Sequence, residues 1–150
     1  MITWEEQEEW LEQLPHRSQV EYALFCAMQI KDLWEDCVQA AKTVSTIKRF
    51  LKGEATAREC NVAALNTYHR YAGTSDPAHA TSAAAYTAAD DDRQRIAAAN
   101  ATYAADIVID AVADDAVESV KQEQVDYLRK LYIESLPEEQ RNSWLVQACL

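Results

Sequence analysis

Glycine and proline are nearly missing from this chain, with two of one and three of the other in 150 residues. Hairpin turns draw on both, so a β-rich fold is not expected. No apolar run reaches the roughly 18 residues needed to cross a bilayer, and no membrane partner is expected. The opening MITWEEQEEW has neither a basic start nor an apolar stretch, so a secretory leader is not expected either. The four cysteines, Cys26, Cys37, Cys60 and Cys149, form no CxxC pair, which removes the usual zinc and redox spacings. They read as reduced thiols of a cytoplasmic protein, three of them as small buried residues inside helices. Glycine-rich phosphate loops, GxSxG, HExxH and DxDxDG are all absent, so no cofactor, metal or catalytic residue is expected. The histidines, His16, His69 and His79, stand apart from one another. His69 can face His79 or Tyr86 across a helix pair. A Cys60–His69 dyad is not expected, because nine residues is no close same-face helical step.

Basic residues are also scarce. The formal net charge is −11, which argues against nucleic acid as a partner and favours a basic protein. The charge is uneven. Residues 42–70 carry six basic and two acidic side chains, a balance of +4, whereas the remainder carries 8 basic and 23 acidic, a balance of −15. Lys48, Arg49 and Lys52 fall near a helix C-terminus, where cations suit the helix dipole. Alternatively, Arg58, His69 and Arg70, joined by the distant Arg93 and Arg95, form a pocket for a nucleotide-like anion.

What is plentiful is helix-forming sequence. Capping boxes are expected at Thr3/Glu6, Ser18/Glu21 and Thr56/Glu59. Apolar residues follow at three- and four-residue steps, such as Val20, Leu24, Ala27 and Ile30, then Val44, Ile47 and Leu51. Gly53 and Gly73 are expected stops. Ser75 or Asp76 is an expected cap with Pro77 in the first turn, and Ser135 caps a last helix. From Arg93 to Tyr132 the pattern is helical, with a possible break around AVADDAV. Residues 1–150 thus form one all-α domain, a compact bundle of seven to eight helices.

The stretch from Ala80 to Asp106 is nearly half alanine. Alanine has the highest helix propensity, so 77–112 is expected to be a closely packed central helix pair rather than a linker. Asp90, Asp91 and Asp92 fall between those helices. They read either as a turn whose last aspartate caps the next helix, or as an acidic loop offered to a basic partner. Asp106, Asp110 and Asp114 follow at four-residue steps on one face, after Asn100 and Tyr103. That row reads as a solvated face or a binding surface. It lacks the loop geometry of a calcium site.

The blocks YALFCAMQI, FLKGEATARE, AAAYTAADDD, AAANATYAAD and EQVDYLRKL, spanning residues 20–134, resemble a family of alanine-rich helical immunity proteins. That family occurs beside bacterial toxins and in bacteriophage genomes. The resemblance implies a non-catalytic inhibitor that occludes a toxin or a host defence effector. Asp90, Asp91, Asp92, Asp106 and Asp110 are then the candidate partner-binding residues. Two other readings stay open. One is a protein that sequesters a small anionic ligand, and the other is a scaffold that self-associates through Trp4, Trp10 or Trp144.

Overall fold

Nine α-helices and two single 3-10 turns, with no strand, make up the described part of a computed structural model of the chain. It describes residues 2–70 and 77–148, without the side chains of 144–148. The helices are α1 (Gln7–Glu12), α2 (His16–Met28), α3 (Lys31–Trp34), α4 (Val38–Leu51), α5 (Ala57–Arg70), α6 (Ala78–Ala89), α7 (Gln94–Ala111), α8 (Val117–Ser135) and α9 (Glu138–Ala148). The all-α bundle follows expectation. The helix count exceeds seven to eight because the link between α2 and α4 winds into the single turn α3.

The centre is α6. Ten of its twelve residues are buried, all but Tyr86 and Ala89. It packs against α5, α7, α2 and α4. A helix buried on every side needs small side chains all round, and alanine supplies them while letting neighbouring backbones approach closely. Its partner α7 buries Ala97, Ala98, Ala101, Ala104, Ala105 and Val108 along one face. The expected pairing of two alanine-rich helices is therefore present. With α2 and α6 in the middle, α4 and α5 lie to one side and α7, α1 and α8 to the other. Larger apolar groups fill the periphery, among them Leu11, Leu14, Tyr22, Ile30, Trp34, Ile47 and Leu128. Buried hydroxyls on α6 are satisfied by carbonyls: Thr87 bonds Ala83 at 2.9 Å, and Ser82 bonds Ala64 of α5 at 2.7 Å.

Local signals succeed where no tertiary contact competes. At Thr56 the reciprocal box forms, with the Glu59 amide donating to Thr56 Oγ1 at 3.1 Å and the Thr56 amide to Glu59 Oε1 at 3.3 Å. Gly53 ends α4 with φ +76°. The Gly53 amide reaches the Phe50 carbonyl at 3.0 Å and the Glu54 amide reaches Arg49 at 2.8 Å, a double closure that only a left-handed residue permits.

Elsewhere the structure corrects the sequence reading. Thr3 and Glu6 form no box. The chain enters by a 3-10 turn over Trp4–Glu6, and Thr3 makes no side-chain cap. Ser18 lies inside α2, which begins after Pro15 because His16 is drawn inward; its Nε2 donates to the Thr87 carbonyl at 2.7 Å. His16 is therefore not isolated. The pattern from 93 to 132 breaks at AVADDAV, where Val112 is extended and a 3-10 turn over Asp114–Ala116 precedes α8. Ser135 closes α8, donating to Tyr132, and does not cap α9. Cys37 is not inside a helix. It caps α4, its sulfur accepting from the Ala40 amide. Gly73, Ser75, Asp76 and Cys149 lie outside the described residues.

Glutamines tie the outer helices to this centre. Trp4 Nε1 donates to Gln124 Oε1 at 2.7 Å, and Gln124 Nε2 donates to Gln29 at 3.0 Å, linking the N-terminal turn, α8 and α2. Gln19 donates to the carbonyls of Leu11 and Gln94, and Gln94 donates back to Glu12 and Leu14. Lys121 sits over the Trp4 ring at 4.3 Å, and Trp10 meets Tyr132 edge-on at 4.7 Å. Both indoles are thus half-buried and engaged, which corrects the expectation that Trp4 or Trp10 stands free for self-association. The side chain of Trp144 is outside the described set.

Because α6 has no room, Ala84→Leu is expected to destabilise the protein by about 1–3 kcal/mol or more. Ala99→Leu, on the exposed side of α7, is expected to stay within about 0.5 kcal/mol of wild type. Urea denaturation of the two variants checks the contrast.

Candidate functional site

An α-helix advances 100° per residue, so residues seven apart nearly coincide in direction. On α7 this aligns Ile96, Tyr103 and Asp110, with Ala99 and Asp106 flanking the line. Tyr103 is 57% exposed and Ile96 45%. The opposite face carries the buried alanines, so the outward direction of this stripe is set by the packing of α7 on α6 and α2. The stripe runs roughly 21 Å, from an apolar N-terminal half to an acidic C-terminal half.

Helix α1 lies alongside α7 and extends the acidic end. Partial burial pushes the Asp106 carboxyl up from its ordinary value, and the charges of Asp110 on its own helix and Glu8 on α1 push it further. Glu8, Asp106 and Asp110 thus act as one negative patch drawn from two helices. Arg95 answers only its edge, approaching Glu12 at 4.0 Å with both groups largely solvated. The sequence row ended one step too late: α7 stops at Ala111, and Asp114 belongs to the following 3-10 turn. Glu8 was invisible from sequence, since only tertiary packing brings it to α7.

The three consecutive aspartates have separate roles. Asp90 follows the last turn of α6 and is half-buried. Its Oδ2 accepts from Asn100 Nδ2 at 2.9 Å, which pins the α6–α7 turn to α7. Burial raises its carboxyl, opposed by Arg93 and by that hydrogen bond. Asp91 and Asp92 are exposed. No aspartate caps α7: the preceding residue is Arg93, without a side-chain cap.

The residues considered for an anion pocket are dispersed. Arg58 and the pair His69–Arg70 occupy opposite ends of α5, roughly 16–18 Å apart along its axis. Arg93 and Arg95 open α7 on the other side of the central layer. Tyr68, rather than His69, is the side chain that meets His79 across the α5–α6 pair, with ring centroids 5.8 Å apart. His69 is exposed.

Cysteine chemistry finds no support. Cys26 and Cys60 are fully buried and free. Burial, with Glu59 nearby, pushes the Cys60 thiol up to about 11, and burial raises Cys26 still further. Both remain thiols at neutral pH. Among the described residues no group of three or more His, Cys, Asp or Glu side chains can hold a metal ion, and no helix is long and apolar enough to cross a membrane.

Because Asp106 titrates above its unfolded value, the folded state holds its proton more tightly. Its contribution to stability is full below the unfolded value of 3.8 and is lost as pH rises through the folded one. Asp106→Asn is therefore expected to melt above wild type at neutral pH. The difference should shrink on acidification towards pH 4, as calorimetry across that range would record.

No family model, curated protein or solved structure matches this chain.

Proposed function

We propose that this chain is a non-catalytic binding protein that neutralises a basic partner protein by covering it with the outer face of α7 and the adjoining edge of α1. The observation that carries this reading is the coincidence of Tyr103 and Ile96 with Asp106 and Asp110 on one exposed stripe, with Glu8 beside them. An exposed aromatic residue with charges around it is the usual anatomy of a binding hot spot. Acidic groups alone suit solubility; a large apolar residue among them suits docking. The charge would speed association with a basic surface and select against acidic competitors.

The resemblance to alanine-rich immunity proteins supports the same class of action. The partner class is then a toxin or host defence effector whose nucleic-acid-handling cleft is basic. Free thiols at Cys26 and Cys60 suit a cytoplasmic setting. Of the aspartates, Asp91, Asp92, Asp106 and Asp110 are free to meet a partner, whereas Asp90 serves the α6–α7 turn through Asn100.

Affinity purification from host lysate at about 50 mM salt is expected to retain one stoichiometric partner, and about 500 mM salt to release it. Tyr103→Ala is expected to weaken that complex about tenfold or more. Changing Asp91, Asp92, Asp106 and Asp110 together to Asn should remove the salt dependence. A complex that ignores both salt and Tyr103→Ala would place the interface elsewhere.

A further inference from the structure

On the other side of the central layer, α4 and α5 diverge around a groove of about 400 Å³, which is within the range of small-ligand sites. Six of its lining side chains define its chemistry: Gln39, Lys42 and Thr46 from α4, and Arg58, Val62 and Asn66 from α5. Among the described residues Lys42 and Arg58 take part in no ion pair. Among the same residues the side-chain amides of Gln39 and Asn66 find no hydrogen-bond partner either. Two free cations and two free amides therefore meet in one concavity, and both cations belong to residues 42–70, where the charge balance is +4. Glu59 also lines the groove, but its carboxylate is occupied by the Thr56 cap and by Arg49 at 3.6 Å. It subtracts little from the positive field.

The rest of the lining narrows the ligand. Among the described residues no aromatic ring borders the groove, so none of them is placed to stack on a nucleobase. Thr46 already donates its hydroxyl hydrogen to the Lys42 carbonyl at 2.9 Å. Its oxygen is left as an acceptor for a ligand hydroxyl. Amides that both donate and accept, a hydroxyl that accepts, and a small apolar wall at Val62 match a polyhydroxylated body. The cations match a phosphate attached to it, Arg58 through its planar fork and Lys42 as a point charge. The geometry points to a binding site for a phosphorylated sugar, with Arg58 and Lys42 on the phosphate and Gln39, Thr46 and Asn66 on the sugar hydroxyls. This site is separate from the α1–α7 face and stands or falls independently of it.

Calorimetric titration of the full-length protein with ribose 5-phosphate tests the assignment, with ribose and inorganic phosphate as controls. Saturable one-to-one binding of ribose 5-phosphate is expected, about tenfold or more tighter than inorganic phosphate, with none for ribose. Arg58→Gln and Lys42→Gln are each expected to weaken binding about tenfold or more. Both side chains are exposed, and an unchanged circular dichroism melt would verify that each variant folds. Gln39→Ala should weaken ribose 5-phosphate without altering inorganic phosphate. No saturation by ribose 5-phosphate up to about 10 mM would overturn the proposal. So would equal affinity for inorganic phosphate, or full affinity in the Arg58→Gln, Lys42→Gln double variant.

Discussion

Everything in this bundle is arranged around a helix that has no room. Alanine, serine and threonine occupy nearly every position of α6, and four helices close on it. Such a helix contributes little burial energy per residue, since one methyl group is worth a fraction of a leucine. What it provides is proximity: neighbouring backbones settle near the short end of ordinary helix spacing, where dispersion contacts are numerous. The large apolar residues are consequently displaced outward, into the contacts that α1, α2, α4 and α8 make around the centre. There Leu11, Leu14, Tyr22, Ile47 and Leu128 reach complete or nearly complete burial. The glutamine bonds from Gln19, Gln94 and Gln124 fix how those outer helices attach. Gln19 reaches the main-chain carbonyls of Leu11 and Gln94, Gln94 reaches those of Glu12 and Leu14, and Gln124 joins the side chains of Trp4 and Gln29.

A middle layer with no net charge also separates the charges on either side of it: α6 has no Asp, Glu, Lys or Arg, and Arg17 and Glu21 of α2 pair with each other at 3.0 Å. Helices α4 and α5 carry the basic segment and α1 and α7 the acidic stripe, with α2 and α6 between them. At physiological ionic strength, screening over a Debye length of about 8 Å leaves the two surfaces largely independent. A chain with a net charge of −11 can thereby present a locally positive groove. Neither surface is consumed by the other. Among the described residues few ion pairs reach across elements, and those are exposed, such as Arg95 with Glu12 and Arg49 with Glu59. Pairs of that kind contribute little to stability.

The sequence revealed features decided by near neighbours and concealed those decided by distant ones. Thr56–Glu59 and Gly53 behaved as their local motifs require, because the α4–α5 link is solvated and nothing else competes for it. Thr3–Glu6 and Ser18–Glu21 have the same spacing and failed. Trp4 is pulled towards Gln124 and His16 towards Thr87, and each pull resets where its helix begins. The same division applies to function. Helical arithmetic placed Asp106 and Asp110 on one face, but the contribution of Glu8 required knowing that α1 packs on α7. Asp90 looked interchangeable with Asp91 and Asp92 until Asn100 singled it out. Arg58 and His69 seemed neighbours by composition, yet a helix of fourteen residues holds them at opposite ends.

The acidic stripe has an energetic character that distinguishes it from an ordinary solvated face. Like charges on a free helix surface can spread apart, but Asp106 is partly buried, which raises its carboxyl most, and the charges of Asp110 and Glu8 raise it further. That arrangement opposes stability at neutral pH. A cation brought close by a partner would reverse the sign: the proton would be held less tightly and the carboxyl would fall back towards its ordinary value. Binding would then be linked to proton release in mildly acidic solution, and affinity would increase with pH through that range. Tyr103 is one turn away on the same line and would be covered in the same event. The raised carboxyl of Asp106 thus lies one turn from a Tyr103 ring that is 57% exposed, so a partner that covered one would meet the other.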